Sequence, residues 1–363
     1  MTTPALFTPF TLKDVTLRNR IAVPPMCQYS AIDGFTNDWH LSHYAGLVIV
    51  EATAVSPEGR ISPGCTGLWN DEQAVGMARI AEAIKAGGAV PGIQIAHAGR
   101  KASANRPWEG DDHIADGDAR GWQTISPSAK PFGANLAKMP EAMTKADIAR
   151  VQADFVAAAI RARDAGFQWL ELHFAHGYLA QSFFSVHGNE RTDEYGNDAI
   201  GRGRFLLETL AAVREVWPKN LPLTARFGVI EYDGNDEQTL KESIELVRAM
   251  REGGLDLLNV SVGFSTPAAQ IPWGPAFLAP IAERVHREAG LPVASSWGID
   301  DPVVANRVVE EGQMDLVMVG RAMLSNPHWP YQTAMKLGLE RPSWVLPAPY
   351  AHWLERYRVQ SAA

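Results

Sequence analysis

The chain has 363 residues, of which 46% are hydrophobic and 20% charged, and this is the composition and length of a globular (β/α)₈ barrel with extended loops. Its net charge of -8 excludes the general electrostatic field that would bind nucleic acid or an anionic membrane. The first ten residues have no signal-peptide pattern and Cys27 and Cys65 are the only cysteines, so we expect a cytoplasmic protein without a disulfide framework.

Apolar, β-branched segments alternate with amphipathic segments along the chain, after an N-terminal hairpin predicted within residues 1–20 with its turn at Lys13-Asp14. The eight predicted strands are Ile21–Pro24, Leu47–Val55, Gly92–Ile95, Trp169–His173, Leu223–Phe227, Leu255–Val260, Pro292–Ser295 and Asp315–Val319. The predicted helices lie around Ile80–Lys85 and over Asp147–Ala165, Phe205–Val216, Leu240–Met250 and Ile281–Glu288.

This alternation predicts an α/β fold, a (β/α)₈ TIM barrel that forms a single domain over residues 1–363. A doubly wound sheet would need a glycine-rich turn after its first strand, where this chain has Pro24-Pro25-Met26-Cys27. Residues 97–143, rich in Gly, Pro, Asp and Trp, form a long excursion after the third strand, which is typical of a lid. The aromatic tail, residues 344–363, indicates docking on this subunit or on a neighbour.

Two histidines and a tyrosine follow the fourth predicted strand, at His173, His176 and Tyr178. Because catalytic groups of barrels lie where the strands end, these side chains are expected to converge on one ligand. Imidazole N–H groups polarise a carbonyl oxygen, and a tyrosine O–H delivers a proton. A core or structural role is the alternative, which we favour for a lone histidine but not for this cluster.

A zinc site is a competing interpretation of the histidines and carboxylates. His40 and His43 lie three residues apart, and Glu51, His97 and Glu171 are further candidate ligands that lie nearby in sequence terms. Zinc hydrolases on barrels use such ligands, although a lone His-x-x-His spacing is a weak signal. A metal-dependent hydrolase therefore stays an alternative.

Three later strand ends predict an anion site. Arg226 ends an apolar strand, where a charged side chain needs either an anion or a buried ion pair. Gly320-Arg321 and Trp297-Gly298 follow the last two strands, and loops in these positions form the usual phosphate site of a barrel.

Taken together, these motifs resemble the Old Yellow Enzyme family, in particular its thermophilic-like subclass, over nearly the whole chain. The motifs that carry the resemblance are Val23-Pro24-Pro25-Met26-Cys27-Gln28-Tyr29, Val50-Glu51-Ala52-Thr53, Gln94-Ile95-Ala96-His97-Ala98-Gly99-Arg100, His173-Phe174-Ala175-His176-Gly177-Tyr178 and Val319-Gly320-Arg321-Ala322.

The resemblance implies a non-covalently bound FMN, NADPH or NADH as electron donor, and reduction of the C=C bond of α,β-unsaturated carbonyl compounds, with nitro compounds as further substrates. Hydride would pass from flavin N5 to the β-carbon, while Tyr178 protonates the α-carbon and His173 and His176 bind the carbonyl oxygen. Cys27 would contact flavin and substrate. Further substrate contacts would come from Tyr29, Trp297 and Trp353, the last of these across the interface of a homodimer or higher oligomer. The implied cofactor-binding residues are Pro25, Met26, Cys27, Ala52, Gln94, Arg226, Trp297, Gly298, Gly320 and Arg321.

The chain departs from the family pattern after Tyr44, which is followed almost directly by the second predicted strand at Leu47. About seven residues, two helical turns, are absent compared with the family. This shortened first crossover leaves a further alternative, a barrel that binds flavin but is impaired in turnover. The dienoyl-CoA branch of the family is disfavoured, because two cysteines cannot ligate its iron–sulfur cluster.

Overall fold

The computed structural model describes residues 3–44 and 49–357. The chain begins with the hairpin β1 (Phe10–Leu12) and β2 (Val15–Leu17), an antiparallel pair in which Thr11 lies opposite Thr16. Its turn contains Lys13, whose φ of 53° places it in the left-handed region. The N-terminal hairpin predicted from the sequence is therefore confirmed.

Eight strands form one sheet in which every pairing is parallel. Its strands are β3 (Ile21–Ala22), β4 (Ile49–Ala54), β5 (Gly92–Ala96), β8 (Trp169–Phe174), β9 (Leu223–Ile230), β10 (Leu257–Val262), β11 (Val293–Ser295) and β12 (Leu316–Met318). Their order in the sheet is β3-β12-β11-β10-β9-β8-β5-β4. All eight overlap the predicted strands, and the predicted TIM barrel is confirmed.

The hairpin packs against the amino-terminal ends of the barrel strands. Phe10 and Val15 share an apolar cluster with Ala22 of β3 and Ile49 of β4, and residues of β8, β10, β11 and β12 complete it. This cluster brings β3 and β4 together at the base of the barrel, although no hydrogen-bonded ladder joins them within residues 3–44 and 49–357. The opposite end of the barrel stays open for a site.

The helices pack outside the barrel, and several begin at side-chain caps. Thr144 and Asp147 form a capping box at the helix that begins at Lys145, and Asn70 and Gln73 form another at the helix that begins at Asp71. The helices are α1 (Asp38–Tyr44), α2 (Asp71–Ala86), α3 (Lys145–Asp164), α4 (Leu179–Phe184), α5 (Ala199–Val216), α6 (Asp236–Glu252), α7 (Ala279–Ala289), α8 (Pro302–Glu310), α9 (Arg321–Ser325), α10 (Trp329–Lys336) and α11 (Ala348–Glu355). None of the helices in the described residues is long and apolar enough to cross a membrane.

The excursion after β5 contains only short elements. Its two-residue strands, β6 (Ile125–Ser126) and β7 (Glu141–Ala142), pair in parallel. Arg100 is buried at its start and donates hydrogen bonds to backbone carbonyls, including that of Ser265 at 2.7 Å. The excursion is thereby fastened to the loop that follows β10.

Strand register places polar side chains in two adjacent layers of the barrel interior. Gln94 of β5 is paired in register with Glu171 of β8. One layer further along, His173 is paired with Arg226, which is paired in turn with Asn259. Arg226 therefore lies within β9, which continues for four residues beyond it, and our sequence-based placement of this residue at a strand end was wrong. The upper layer faces the open end of the barrel.

Candidate active site

Two adjoining cavities lie at the carboxyl ends of the barrel strands. The first has a volume of about 300 Å³ and is bounded by β9, β12 and the loops after β3 and β11. The second, of about 600 Å³, has Lys101, Tyr178 and Phe264 in its wall. His176 and Trp297 line both cavities, so ligands bound in the two would meet at these rings. The first cavity gathers the predicted site residues Pro25, Met26, His176, Arg226, Trp297, Gly298, Gly320 and Arg321.

The rings of His173, His176 and Tyr178 converge between these cavities. The ring centroid of His173 lies 4.9 Å from that of His176 and 5.1 Å from that of Tyr178. His173 is the fifth residue of β8, and the chain then reverses through His176 and Gly177, whose φ values are 64° and 66°. This reversal returns the second imidazole and the phenol to the side of the first imidazole.

Both imidazoles are neutral. Burial lowers the pKa of His173 and of His176 well below the ordinary value, and the positive charges of Arg226 and Lys101 lower them further. A neutral imidazole carries one N–H donor and one acceptor nitrogen. His173 Nδ1 is buried without a hydrogen-bond partner among the described residues.

Ser261 determines which nitrogen of His176 carries the proton. Its Oγ accepts from Arg226 Nε and from Trp297 Nε1, each at 3.4 Å, and lies 2.9 Å from His176 Nε2. Because Ser261 Oγ accepts the N–H groups of Arg226 and Trp297, its own hydroxyl proton is donated to His176 Nε2. The N–H of His176 is then at Nδ1, where it can be offered to a ligand.

Lys101 holds the loop that carries His176. Its Nζ donates to the carbonyl oxygen of His176 at 2.8 Å and to that of Phe264 at 2.7 Å, and it lies 4.0 Å from the ring centroid of Phe132. Burial, and then the charge of Arg100, lower the pKa of this lysine to about 7. The ammonium thus ties two loops at the mouth of the second cavity.

Tyr178 is half-buried beside the histidines and Lys101. Burial is the main reason why its pKa is raised well above the ordinary value, and the nearby Cys27 raises it further. The phenol therefore keeps its proton throughout the neutral range and can donate it.

Cys27 and Tyr29 lie on the loop after β3, close to Tyr178. Burial raises the pKa of the Cys27 thiol, as do the charges of Glu51 and Cys65. Tyr29 has a φ of 50° and its ring packs edge-on against Trp108, with centroids 5.8 Å apart. The loop therefore places a protonated thiol and a phenol near Tyr178, although neither residue is in the wall of the two cavities.

Arg226 is buried without a carboxylate at contact distance within the described part of the chain. Its Nη2 donates to Ser296 Oγ at 2.9 Å, and Glu171 is the main charge that offsets the effect of burial on its pKa. The sequence analysis allowed a buried ion pair as one explanation for Arg226. In the described residues no such pair is present at contact distance. A guanidinium with only hydroxyl partners in a cavity wall is suited to an anionic or carbonyl-rich ligand.

Gln94 and Glu171 form a polar floor below the upper layer. Gln94 Nε2 donates to Glu171 Oε1 at 2.7 Å, and Asn259 Nδ2 donates to Glu171 Oε2 at 3.1 Å. Ala52 is a buried residue of β4. Gln94 and Ala52 are not in the wall of the first cavity, which therefore does not include every predicted cofactor contact.

Two glycines in the wall of the first cavity have little room for a side chain. Gly298 has a φ of 67°, and a Cβ there would lie 2.3 Å from the carbonyl oxygen of Gly274. A Cβ on Gly320 would lie 3.2 Å from Met26 Sδ. Arg321, which follows, is exposed at the start of α9. A bare backbone and a nearby guanidinium are the features expected of a phosphate site.

Trp353 lies apart from both cavities of its own chain. It is on α11, with 75% of its surface exposed, and its ring packs edge-on against His352. A large exposed aromatic near the chain terminus is available to a neighbouring molecule, but it adds nothing to the site within one subunit.

The residues of the metal alternative do not come together as a metal site. In residues 3–44 and 49–357 no group of three or more His, Cys, Asp and Glu side chains is placed to hold a metal ion. His40 is buried, with Nε2 3.7 Å from Glu51 Oε1, whereas His97 Nε2 lies 4.0 Å from Glu58.

Several residues of the site were missed at the level of sequence. Ser261, Phe264 and Trp273 lie on or after β10, for which we had named no site residue. Lys101 follows a matched motif, and its adjacency to Arg100 could have drawn attention to it. The sequence contains no signal for Ser261, because its role depends on three side chains from other strands and loops.

Comparison with known proteins places these features in a family. The model of the NADH:flavin oxidoreductase / NADH oxidase family matches residues 5–340. An NADPH dehydrogenase of Geobacillus thermodenitrificans (strain NG80-2) is 41% identical over 344 residues, covering 92% of this chain and 95% of that protein.

Solved structures agree with this match. Morphinone reductase superposes with a TM-score of 0.79 at 25% identity, covering 92% of this chain and 90% of that chain. A 2-naphthoyl-CoA reductase complex has a TM-score of 0.81, covering 95% of this chain and 54% of that chain, and at 23% identity it shows the fold alone. The chain belongs to the NADH:flavin oxidoreductase / NADH oxidase family, the family of Old Yellow Enzyme, and is an FMN-dependent NAD(P)H oxidoreductase.

Proposed function

We propose that this protein is an ene-reductase, which reduces the C=C bond of α,β-unsaturated carbonyl compounds with electrons from NADPH or NADH. The observation that carries the proposal is the convergence of His173, His176 and Tyr178 between two cavities, one of them lined by Arg226. Two neutral imidazoles beside a protonated phenol form a site that binds a carbonyl oxygen and gives a proton to carbon. Nitro compounds, which also present oxygen acceptors, are a further substrate class.

The residues of the first cavity fit FMN. Arg226 is a buried cation with free donor capacity, which suits the pyrimidine edge of an isoalloxazine, where negative charge develops on reduction. Gln94, whose amide is oriented by Glu171, would add a hydrogen bond there, with Ala52, Pro25 and Met26 against the ring. Gly298, Gly320 and Arg321 would hold the ribityl phosphate, with Trp297 between the cofactor and the substrate cavity.

FMN reduced by NAD(P)H would supply the hydride, and the protein's own groups would make the substrate ready to accept it. Nδ1–H of His176 and an N–H of His173 would donate to the carbonyl oxygen. These two donors stabilise the negative charge that develops on that oxygen and leave the β-carbon electrophilic. Tyr178 would then transfer its phenolic proton to the α-carbon, and the raised pKa of the phenol ensures that the proton is present at neutral pH.

The remaining residues would orient the substrate and limit its access to water. The rings of Phe264, Trp273 and Trp297 pack against one another, with centroids 5.5 to 6.4 Å apart, and form an apolar wall of the second cavity. Tyr29 and Cys27 would contact substrate and cofactor from the opposite loop. Trp353 would reach the site of a neighbouring subunit in a homodimer or a higher oligomer.

The impaired flavoprotein is a second candidate, and one observation favours it. The shortened crossover between Tyr44 and Leu47 includes residues outside the described part of the chain. On either side of it, α1 ends at Tyr44 and β4 begins at Ile49. In the described residues no hydrogen-bonded ladder joins β3 to β4, and this missing ladder is the observation that favours an impaired barrel. No comparable observation favours the metal-dependent hydrolase.

The visible absorption spectrum of the purified protein tests the proposal. Under anaerobic conditions, NADPH should bleach the flavin bands, and 2-cyclohexenone should restore them. Bands that bleach but do not return with the enone would support the impaired flavoprotein. A protein that cannot be reconstituted with FMN would contradict the proposal altogether.

A further inference from the structure

A buried carboxylate, Glu51, lies behind the loop that carries Cys27 and Tyr29. It belongs to β4 and has no exposed surface. Its Oε2 accepts the backbone N–H of Gln28 at 2.8 Å, the residue between the two candidate site side chains. The carboxylate therefore holds the middle residue of the turn by a hydrogen bond, and the following residue, Tyr29, has a positive φ.

The other oxygen of Glu51 is bound by α1. Tyr44 O–H donates to Oε1 at 3.0 Å, and the same hydroxyl oxygen accepts the backbone N–H of Glu51 at 3.0 Å. This reciprocal pair locks the carboxyl group between α1 and the loop. The titratable groups facing it from all packed elements are His40 and Tyr44 of α1, Cys27 and Tyr29 of the loop after β3, and Cys65 of the loop after β4.

No permanent cation neutralises Glu51 among the described residues. Its single ion-pair contact is His40, at 3.7 Å, and burial lowers the pKa of that imidazole to about 4, so the imidazole is uncharged at neutral pH. Burial raises the pKa of Glu51 itself to about 7, although the hydrogen bonds from Gln28 and Tyr44 oppose this. The charge of Glu51 therefore depends on pH within the range in which enzymes of this kind are assayed.

We propose that Glu51 is a positioning residue, whose carboxylate anchors the Cys27–Tyr29 turn and whose negative charge keeps the Cys27 thiol protonated. Because the thiol and the carboxylate share a buried region, ionising both is unfavourable, and loss of the Cys27 proton is opposed whenever Glu51 is charged. The geometric part of this proposal stands without a cofactor. Its consequence for turnover rests on the proposed function, in which Cys27 contacts flavin and substrate.

The test is alkylation of Cys27 by iodoacetamide as a function of pH, in FMN-free and in FMN-loaded protein. Peptide mass spectrometry separates Cys27 from Cys65, which serves as an internal reference. In Glu51→Gln we expect the pH–rate curve of Cys27 to move to lower pH, with a rate at pH 8.5 about three- to tenfold above that of the unmodified protein. Glu231→Gln, another buried glutamate, is the matched control and should leave the curve in place.

The shape of the curve distinguishes electrostatics from loosening. A turn that merely opens in Glu51→Gln would raise the alkylation rate of Cys27 by the same factor at every pH. That result would overturn the proposed role of the charge. Identical pH–rate curves for Glu51→Gln and the unmodified protein would overturn it as well. Glu51→Leu removes both acceptors, so hydrogen exchange at the Gln28 amide should accelerate, and unchanged exchange would overturn the anchoring. The alkylation measurement on FMN-free protein needs no turnover. It therefore tests the role of Glu51 even if the protein proves not to be an ene-reductase.

Discussion

Lys101 Nζ donates to the backbone carbonyl oxygen of His176 at 2.8 Å, so a half-buried lysine holds one of the two candidate carbonyl-binding residues through its main chain. The same ammonium reaches Phe264 O at 2.7 Å. His176 has a φ of 64°, a conformation that a histidine adopts only when its surroundings maintain it. Lys101 is thus the link between the excursion and the geometry of the histidine pair.

Replacing Lys101 by Met should release this loop. Two buried carbonyl groups would lose a charged donor, so we expect the kcat/KM for 2-cyclohexenone to fall about tenfold or more, together with a lower thermal midpoint. Steady-state kinetics and thermal unfolding measure the two effects. Lys130→Met, which removes an exposed lysine of the same excursion, is the control, and an equal loss in both variants would contradict the link.

Tyr178→Phe should separate the two halves of the reaction. Without the phenolic proton, reoxidation of the reduced protein by an enone should slow about 10²- to 10⁴-fold, while reduction by NADPH should stay within a few fold of the unmodified rate. Anaerobic stopped-flow absorbance at the flavin band measures each step. If both steps slow equally, Tyr178 would be shaping the cavity rather than delivering a proton.

Arg226→Met should affect the FMN-free and FMN-loaded protein in opposite directions. In the FMN-free protein the guanidinium is buried with only Ser261 and Ser296 as partners, so an apolar side chain of similar length should leave the thermal midpoint unchanged or raise it. FMN affinity should fall about 10- to 100-fold, because a charged hydrogen-bond donor is lost. Equilibrium dialysis of FMN and thermal unfolding provide the two readouts.

A buried arginine outside the site is the control for this experiment. Arg202 is paired with Glu242 at 2.5 Å on the outside of the barrel, and Arg202→Met should lower stability without changing FMN affinity. Unchanged FMN binding in Arg226→Met would contradict the placement of the isoalloxazine against β9.

The barrel could be predicted because each strand is a short apolar segment between a turn and an amphipathic helix, and the pattern is local. Strand ends were less predictable. β10 runs to Val262 rather than Val260, and β9 to Ile230, because pairing between the two strands carries them past Ser261 and Gly228, which interrupt the apolar segments in the sequence. Short helices such as α4 and α9 lack a full amphipathic repeat, so the sequence contains no periodic signal for them.

Prediction of the site succeeded where residue type and strand end coincide, as at His173, and it failed where function depends on convergence. Ser261 assigns the tautomer of His176 only because Arg226 and Trp297 also point at its hydroxyl. Glu51 was a candidate metal ligand by residue type, but the fold surrounds it with the backbone N–H of Gln28 and the O–H of Tyr44. The roles of these two residues depend on distances between side chains that are far apart in the sequence, and residue spacing does not predict those distances.

Glu51 should also make stability depend on pH in a direction opposite to that of most carboxyl groups. Its pKa is raised from 4.5 to about 7, mainly by burial, so between these pH values the folded protein binds a proton that the unfolded chain has lost. The stabilisation is therefore fully present below pH 4.5 and is lost as the pH rises through 7. At about 1.4 kcal/mol per pH unit, the loss is about 3 kcal/mol.

Urea unfolding of the FMN-free protein between pH 5 and pH 8 checks this expectation by difference. The free energy of unfolding of the unmodified protein, minus that of Glu51→Gln, should fall from pH 5 to about pH 7 and level off above it, because glutamine cannot titrate. Glu190→Gln alters an exposed carboxyl group that is paired with Lys130, and its difference should stay flat. A difference for Glu51→Gln that rises with pH would mean that the carboxylate is better stabilised in the fold than in water, and His40 would then have to be reconsidered as a charged partner.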